Sequence, residues 1–147
     1  MCCCLCLVVG CNKDKIERLE AENRELVAKL AAANLDLQDK CSKQARVRFA
    51  SLSSSQAIAT FTNHYNAKLN KCFALVNQLQ FTGGKMSMVG NVLVDAYEGK
   101  EFAHYVWHDG NVTRCDMVGI DGKACTSLEQ FKKIIKPYME EYSPRPE

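Results

Sequence analysis

Cys115, His104 and Asp95 are the residues whose types and spacing come nearest to a reaction centre. Register counted outward from Asp109-Gly110 sets His104 opposite Cys115. Counted from Glu98-Gly99, His104 faces Leu93, with Asp95 one diagonal step away. A free Cys115 thiol activated by His104, with Asp95 orienting the ring, is a nucleophilic arrangement suited to thiol chemistry. It requires Cys115 to be reduced, and a disulfide there removes the nucleophile. His104 and His108 share a strand face but stand about 13 Å apart, too far to hold one metal ion. Trp107 and Tyr105 offer a stacking platform, although aromatic residues on the apolar side of a sheet usually belong to its core. We therefore expect no catalytic residue, no metal site and no cofactor, with the Cys115, His104 and Asp95 enzyme as the alternative.

The rest of the cysteine chemistry divides the chain. Of nine cysteines in 147 residues, five lie in the first eleven positions: Cys2, Cys3, Cys4, Cys6 and Cys11. Cys41, Cys72, Cys115 and Cys125 are dispersed through the body, and none of these four forms a Cys-x-x-Cys pair of the zinc-site type. An even number of dispersed cysteines suits a disulfide-bonded domain in an oxidising compartment, with free core thiols and a metal site as the other readings.

These residues need elements to position them. Residues 13–49 contain no Pro or Gly and are rich in helix formers. With Ile16 at heptad position a, the a positions continue through Asn23, Leu30 and Leu37, and Leu19, Leu26 and Ala33 fall at d. That is a coiled-coil seam of about three heptads, and a homodimer through it is expected. An amphipathic helix lying on its own domain requires the same spacing. Acid-before-base pairs four apart, such as Glu20–Arg24, Glu25–Lys29 and Asp39–Lys43, line the helix surface. A helix of this length reaches roughly 50 Å and makes a stalk.

Beyond a serine-rich loop, Ser53 with Gln56 matches a capping box. Ile58, Phe61, Tyr65 and Leu69 then predict a helix running to about Asn70. From Cys72 the period changes to two, and four strands are expected: one from Phe73 to the Thr82-Gly83-Gly84-Lys85 turn, then Met86 to Tyr97, Glu101 to His108, and Asn111 to Val118. After Asp121-Gly122, a helix capped by Thr126 or Ser127 carries Leu128, Phe131, Ile134, Ile135 and Met139 on one face, with Pro137 kinking or shortening it. The expected fold class is α+β: an N-terminal coiled-coil-like helix, a helix, a four-stranded antiparallel meander with helices on one face, and a C-terminal helix. The expected organisation is an anchor segment at 1–11, a helical stalk at 12–49, a small α+β domain at 50–142 and a disordered tail at 143–147.

Composition narrows the function class. With 24% charged residues, 47% hydrophobic residues and a net charge of +2, the chain is of globular type and lacks the charge of a dedicated nucleic-acid binder. No Gly-rich phosphate loop occurs. Asn111-Val-Thr113 is a glycosylation sequon, which matters only in a eukaryotic secretory pathway.

Leu7-Val8-Val9-Gly10-Cys11 resembles the lipobox of bacterial lipoproteins, in which the cysteine is lipidated and becomes the new N-terminus. No Lys or Arg precedes Lys13, so the basic region of such a signal lies upstream of Met1 or the signal is weak. The alternative is S-palmitoylation of the Cys2-to-Cys6 cluster in an intracellular adaptor, whose body cysteines would then be reduced. His64-Tyr-Asn with Lys71-Cys72-Phe73, and Asp95-Ala-Tyr-Glu-Gly-Lys100, together resemble a group of small exported bacterial lipoprotein-like proteins of unassigned activity. That resemblance implies an exported setting for the four body cysteines. The pairing expected there is Cys41 with Cys72 and Cys115 with Cys125, the second closing the short loop that contains Asp121-Gly122. The resulting expectation is a bacterial envelope lipoprotein facing the periplasm or exterior, anchored to the membrane through lipid on Cys11, with a disulfide-stabilised binding or structural domain.

Overall fold

The computed structural model describes residues 5–53, 57–118 and 124–140, and the side chains of these from Lys13 onward. The side chain of the lipidation candidate Cys11, the capping residue Gln56, the Asp121-Gly122 turn and the tail at 143–147 lie outside the described residues. Two compact units emerge, residues 1–36 and 37–147.

Helix α1 spans Leu5–Leu52, in keeping with a stretch that lacks proline. Between Lys13 and Ala33 every side chain is exposed. Its surface carries ion pairs four residues apart, including Glu25–Lys29 at 2.6 Å and Asp39–Lys43 at 2.6 Å. Arg18 reaches forward to Glu22 at 3.0 Å. Such exposed pairs add only a few tenths of a kcal/mol each, about what i,i+4 pairs give isolated helices.

The second unit is an α+β domain built on a five-stranded antiparallel sheet in the order β1-β2-β3-β4-β5. Its strands are β1 (Ile58–Asn66), β2 (Lys71–Thr82), β3 (Lys85–Asp95), β4 (Glu101–His108) and β5 (Asn111–Asp116), followed by helix α2 (Leu128–Met139). The expected middle helix is therefore a strand, and the sheet has five strands rather than four. The reason is arithmetic: residues four apart share a face in both a helix and a strand. Phe61 and Tyr65 fit either reading. Thr60, Thr62, His64 and Asn66, alternating with them, follow the period of a strand, and the β-branched threonines favour it. Ile58 and Leu69, counted toward an apolar helix face, are in fact exposed.

The helices lie on opposite faces of the sheet, not on one. On the first face, Cys41 and Ala45 of α1 are buried with Tyr65, Cys72, Ala74, Val94 and Ala96, flanked by Leu37, Phe61 and Val92. On the second, Phe131 and Ile135 of α2 are buried with Phe73, Leu93, Phe102, Ala103, Tyr105, Cys115 and Met117. Adjacent residues of β2 thus serve different cores, and a strand covered on both faces loses its hydrophobic alternation.

Local chemistry sets the ends. Ser127 caps α2 by accepting the Gln130 N–H, and the Gln130 side chain reaches back to accept the Thr126 N–H at 2.9 Å. Pro137 sits in the last turn of α2, which ends at Met139. At the β3–β4 connection Gly99 has φ +72°, a backbone conformation that calls for glycine; a Cβ there would displace only the flexible tip of the Arg48 side chain.

Candidate functional site

Two polar clusters and two disulfides hold Asp95, His104 and the four body cysteines. The structure pairs Cys41 with Cys72 and Cys115 with Cys125, each with Cα atoms 5.3 Å apart. Cys115 therefore has no thiol to activate.

The catalytic alternative also fails on geometry. A bulge between Val106 and Trp107 leaves Thr113 as the extra residue of β5, shifting the register so that Cys115 faces Tyr105 and His104 faces Asp116. At the other connection the pairing starts with Val94 opposite Glu101, so the turn is longer than two residues. With the irregularity at Leu93/Val94, the net result places His104 opposite Val92 instead of Leu93. His104 then lies on the α1 face, while Cys115 is buried among the α2-face residues. At His104 the net displacement is one residue in each pairing, and a slip of one exchanges the faces of the residues beyond it. Tyr105 is buried with its ring 5.8 Å from Phe131, and Trp107 packs against the same core, so neither forms an open stacking platform.

Asp95 has a different partner. Its carboxylate is almost wholly buried and takes the Lys71 ammonium at 2.6 Å. It also accepts the N–H groups of Tyr97 at 2.9 Å and Glu98 at 3.2 Å, closing the turn that carries Gly99. Lys71 bonds Glu98 as well, at 3.0 Å. This cluster neutralises a buried carboxylate and fixes a turn. The hydrogen bond to Asp95, then the one to Glu98, hold the Lys71 pKa above the ordinary lysine value. A raised folded-state pKa contributes stability that is complete below the unfolded value, about 10.4, and is lost as pH rises through the folded one. Urea unfolding followed from pH 8 to 11 is expected to show this alkaline loss, and Lys71→Met is expected to remove its part of it. An unchanged alkaline slope in the variant would count against the assignment.

The second cluster is an ionic strip across β4 and β5 on the face that α1 shares. His104 Nδ1 lies 3.0 Å from Glu101 Oε1 and 2.8 Å from an Arg114 guanidinium nitrogen. Arg114 also bonds Asp116 at 2.5 Å and Glu101 at 3.4 Å. The Asp116 hydrogen bond, aided by the charge of Glu101, holds the guanidinium pKa above its ordinary value. One imidazole nitrogen cannot serve both neighbours together. With its proton on Nε2, His104 accepts from Arg114; with a proton on Nδ1, it donates to Glu101. His104 is half-buried and Arg114 exposed, which makes the strip a surface of fixed, alternating charge. Sequence reading missed Glu101, Arg114 and Asp116 because the bulge that aligns them with His104 carries no glycine signal.

Among the described residues, no group of three His, Cys, Asp or Glu side chains is placed to hold a metal ion. Nor is any described helix long and apolar enough to cross a membrane. His64 lies on β1 opposite Phe73, on the α2 face and away from His104. The chain matches no known protein family, no curated protein and no solved structure.

Proposed function

We propose that this chain is a bacterial envelope lipoprotein of the binding or structural kind, not an enzyme. Lipid on Cys11 anchors it to a membrane, the helical segment forms a stalk, and the disulfide-bonded domain faces the periplasm or exterior. The observation that carries the reading is the pairing of all four body cysteines. Two disulfides persist in an oxidising compartment and are rare in a reducing cytosol. The lipobox-like Leu7-Val8-Val9-Gly10-Cys11 supplies the anchor, and α1 continues without a break from Leu5 to Leu52. The Glu101–His104–Arg114–Asp116 strip is the surface such a domain offers to a polar partner.

Intact mass spectrometry of the protein recovered from the membrane fraction of a bacterial host tests this. The expected mass shows loss of residues 1–10, gain of a diacylglyceryl group on Cys11 and four body cysteines resistant to alkylation until reduction. Cys11→Ala is expected to abolish both processing and membrane recovery. An unprocessed wild-type chain with alkylatable body thiols would overturn the proposal and favour an intracellular acylated protein.

A further inference from the structure

The α1 segment ahead of the domain leaves an apolar seam uncovered. Ile16, Leu19, Leu26 and Leu30 are 51–70% exposed, and they fall at successive a and d positions of one heptad frame, with Asn23 at the remaining a. We infer that this seam binds a second copy of the same chain as a parallel, in-register, two-stranded coiled coil. The inference is independent of the lipid anchor.

The a and d residues supply the attraction, and two features choose orientation. The first is charge. In the parallel arrangement the g-to-e contact places Lys15 beside Glu20 of the second copy, twice by symmetry, and the following g residues, Glu22 and Lys29, meet the uncharged Val27 and Asn34. No like charges face each other. The antiparallel arrangement centred on the seam would place Lys15 beside Asp36 and Glu22 beside Lys29. It therefore gains more surface ion pairs, so charge alone favours the opposite orientation.

The second feature is Asn23, and it outweighs the first. In a parallel pair a faces a, so the two Asn23 amides meet and bond each other across the seam. In an antiparallel pair a faces d, and the d positions are Leu19, Leu26 and Ala33. Every such register buries Asn23 against an apolar side chain, leaving two amides desolvated and unpaired. A buried unpaired amide costs several times what an exposed ion pair contributes. The seam has a definite end: Leu37, the next a position, is packed in the core of the domain with Cys41 and Ala45, and position d passes to Lys40.

The test uses the full-length chain with serine at Cys2, Cys3, Cys4, Cys6 and Cys11, so that only an introduced thiol is free. Sedimentation equilibrium at 10–100 μM, roughly the range where short coiled coils associate, is expected to give twice the chain mass. Leu19→Cys is expected to oxidise to a covalent dimer, because d faces d. Ala21→Cys, at the outward f position, is expected not to. In the antiparallel arrangement Leu19 faces Leu30 of the second copy, which separates the two introduced thiols by roughly 16 Å, beyond disulfide reach. Leu26→Asp is expected to give a monomer whose two native disulfides still form, which separates loss of pairing from loss of folding. A monomeric parent chain, or a dimer without the Leu19→Cys cross-link, would overturn the inference.

Discussion

Alanine at both Cys41 and Cys72 is expected to lower the unfolding free energy of the domain by about 3–4 kcal/mol. The disulfide closes a loop with a sequence separation of 31. Removing it returns that loop's conformational freedom to the unfolded chain, at a cost that grows slowly with length. The corresponding change at Cys115 and Cys125, separated by 10, is expected to cost about 1 kcal/mol less. Alanine is the appropriate replacement because both Cys41 and Cys72 are wholly buried, and a serine hydroxyl would add an unpaired polar group. For a domain of this size the loss corresponds to a fall in Tm of roughly 15 °C. Calorimetry on the oxidised parent and the alanine pair checks it. A change below about 1 kcal/mol would mean that the bond is not formed in the protein or that the unfolded chain is already compact there.

Phe73→Ala is expected to have the larger single-residue effect, about 3–5 kcal/mol. Phe73 is fully buried at the centre of the α2-side core, edge-on to Phe102 at 5.2 Å and to Tyr138 at 5.4 Å. Truncation removes both ring contacts and leaves a cavity between sheet and helix that neither rigid element can close. Its neighbours on β2, Cys72 and Ala74, face the other core, so the strand cannot rotate to refill the space. Phe81→Ala at the exposed end of β2 is the matched control and is expected to change stability by less than about 0.5 kcal/mol. Urea titration distinguishes them, and comparable effects at both positions would refute this account of the core.

What could be read from residue order was whatever local chemistry determines. The Gly83-Gly84 and Asp109-Gly110 turns have positive φ, and their flanking strands appear where the turns require. Ser127 and Gln130 marked the start of α2 for the same reason. Three features escaped. Strand β1 was hidden because Phe61 and Tyr65 suit both periods, and only Thr60 and Thr62, on either side of Phe61, favour strand over helix. The site geometry was hidden by bulges at Thr113 and near Phe102, which lack glycine, and by a β3–β4 turn longer than two residues. The two-sided burial of β2 was hidden because Cys72, Ala74 and Val76 alternate with Phe73 and Leu75, leaving no polar face to read. The candidate triad depended on all the register steps being regular, and it failed at two of them.

The chain-order sheet has a kinetic side. Each strand pairs with its immediate predecessor, so the backbone ladders close across short turns and require little loop entropy to be given up at any step. The distant closures fall elsewhere: on the covalent bond from Cys41 to Cys72, and on the docking of α2, where Asn66 donates to the Pro137 carbonyl 71 residues away. The sheet can therefore zip from hairpin to hairpin. One sulfur bridge ties the first helix to the sheet, and docking ties on the last.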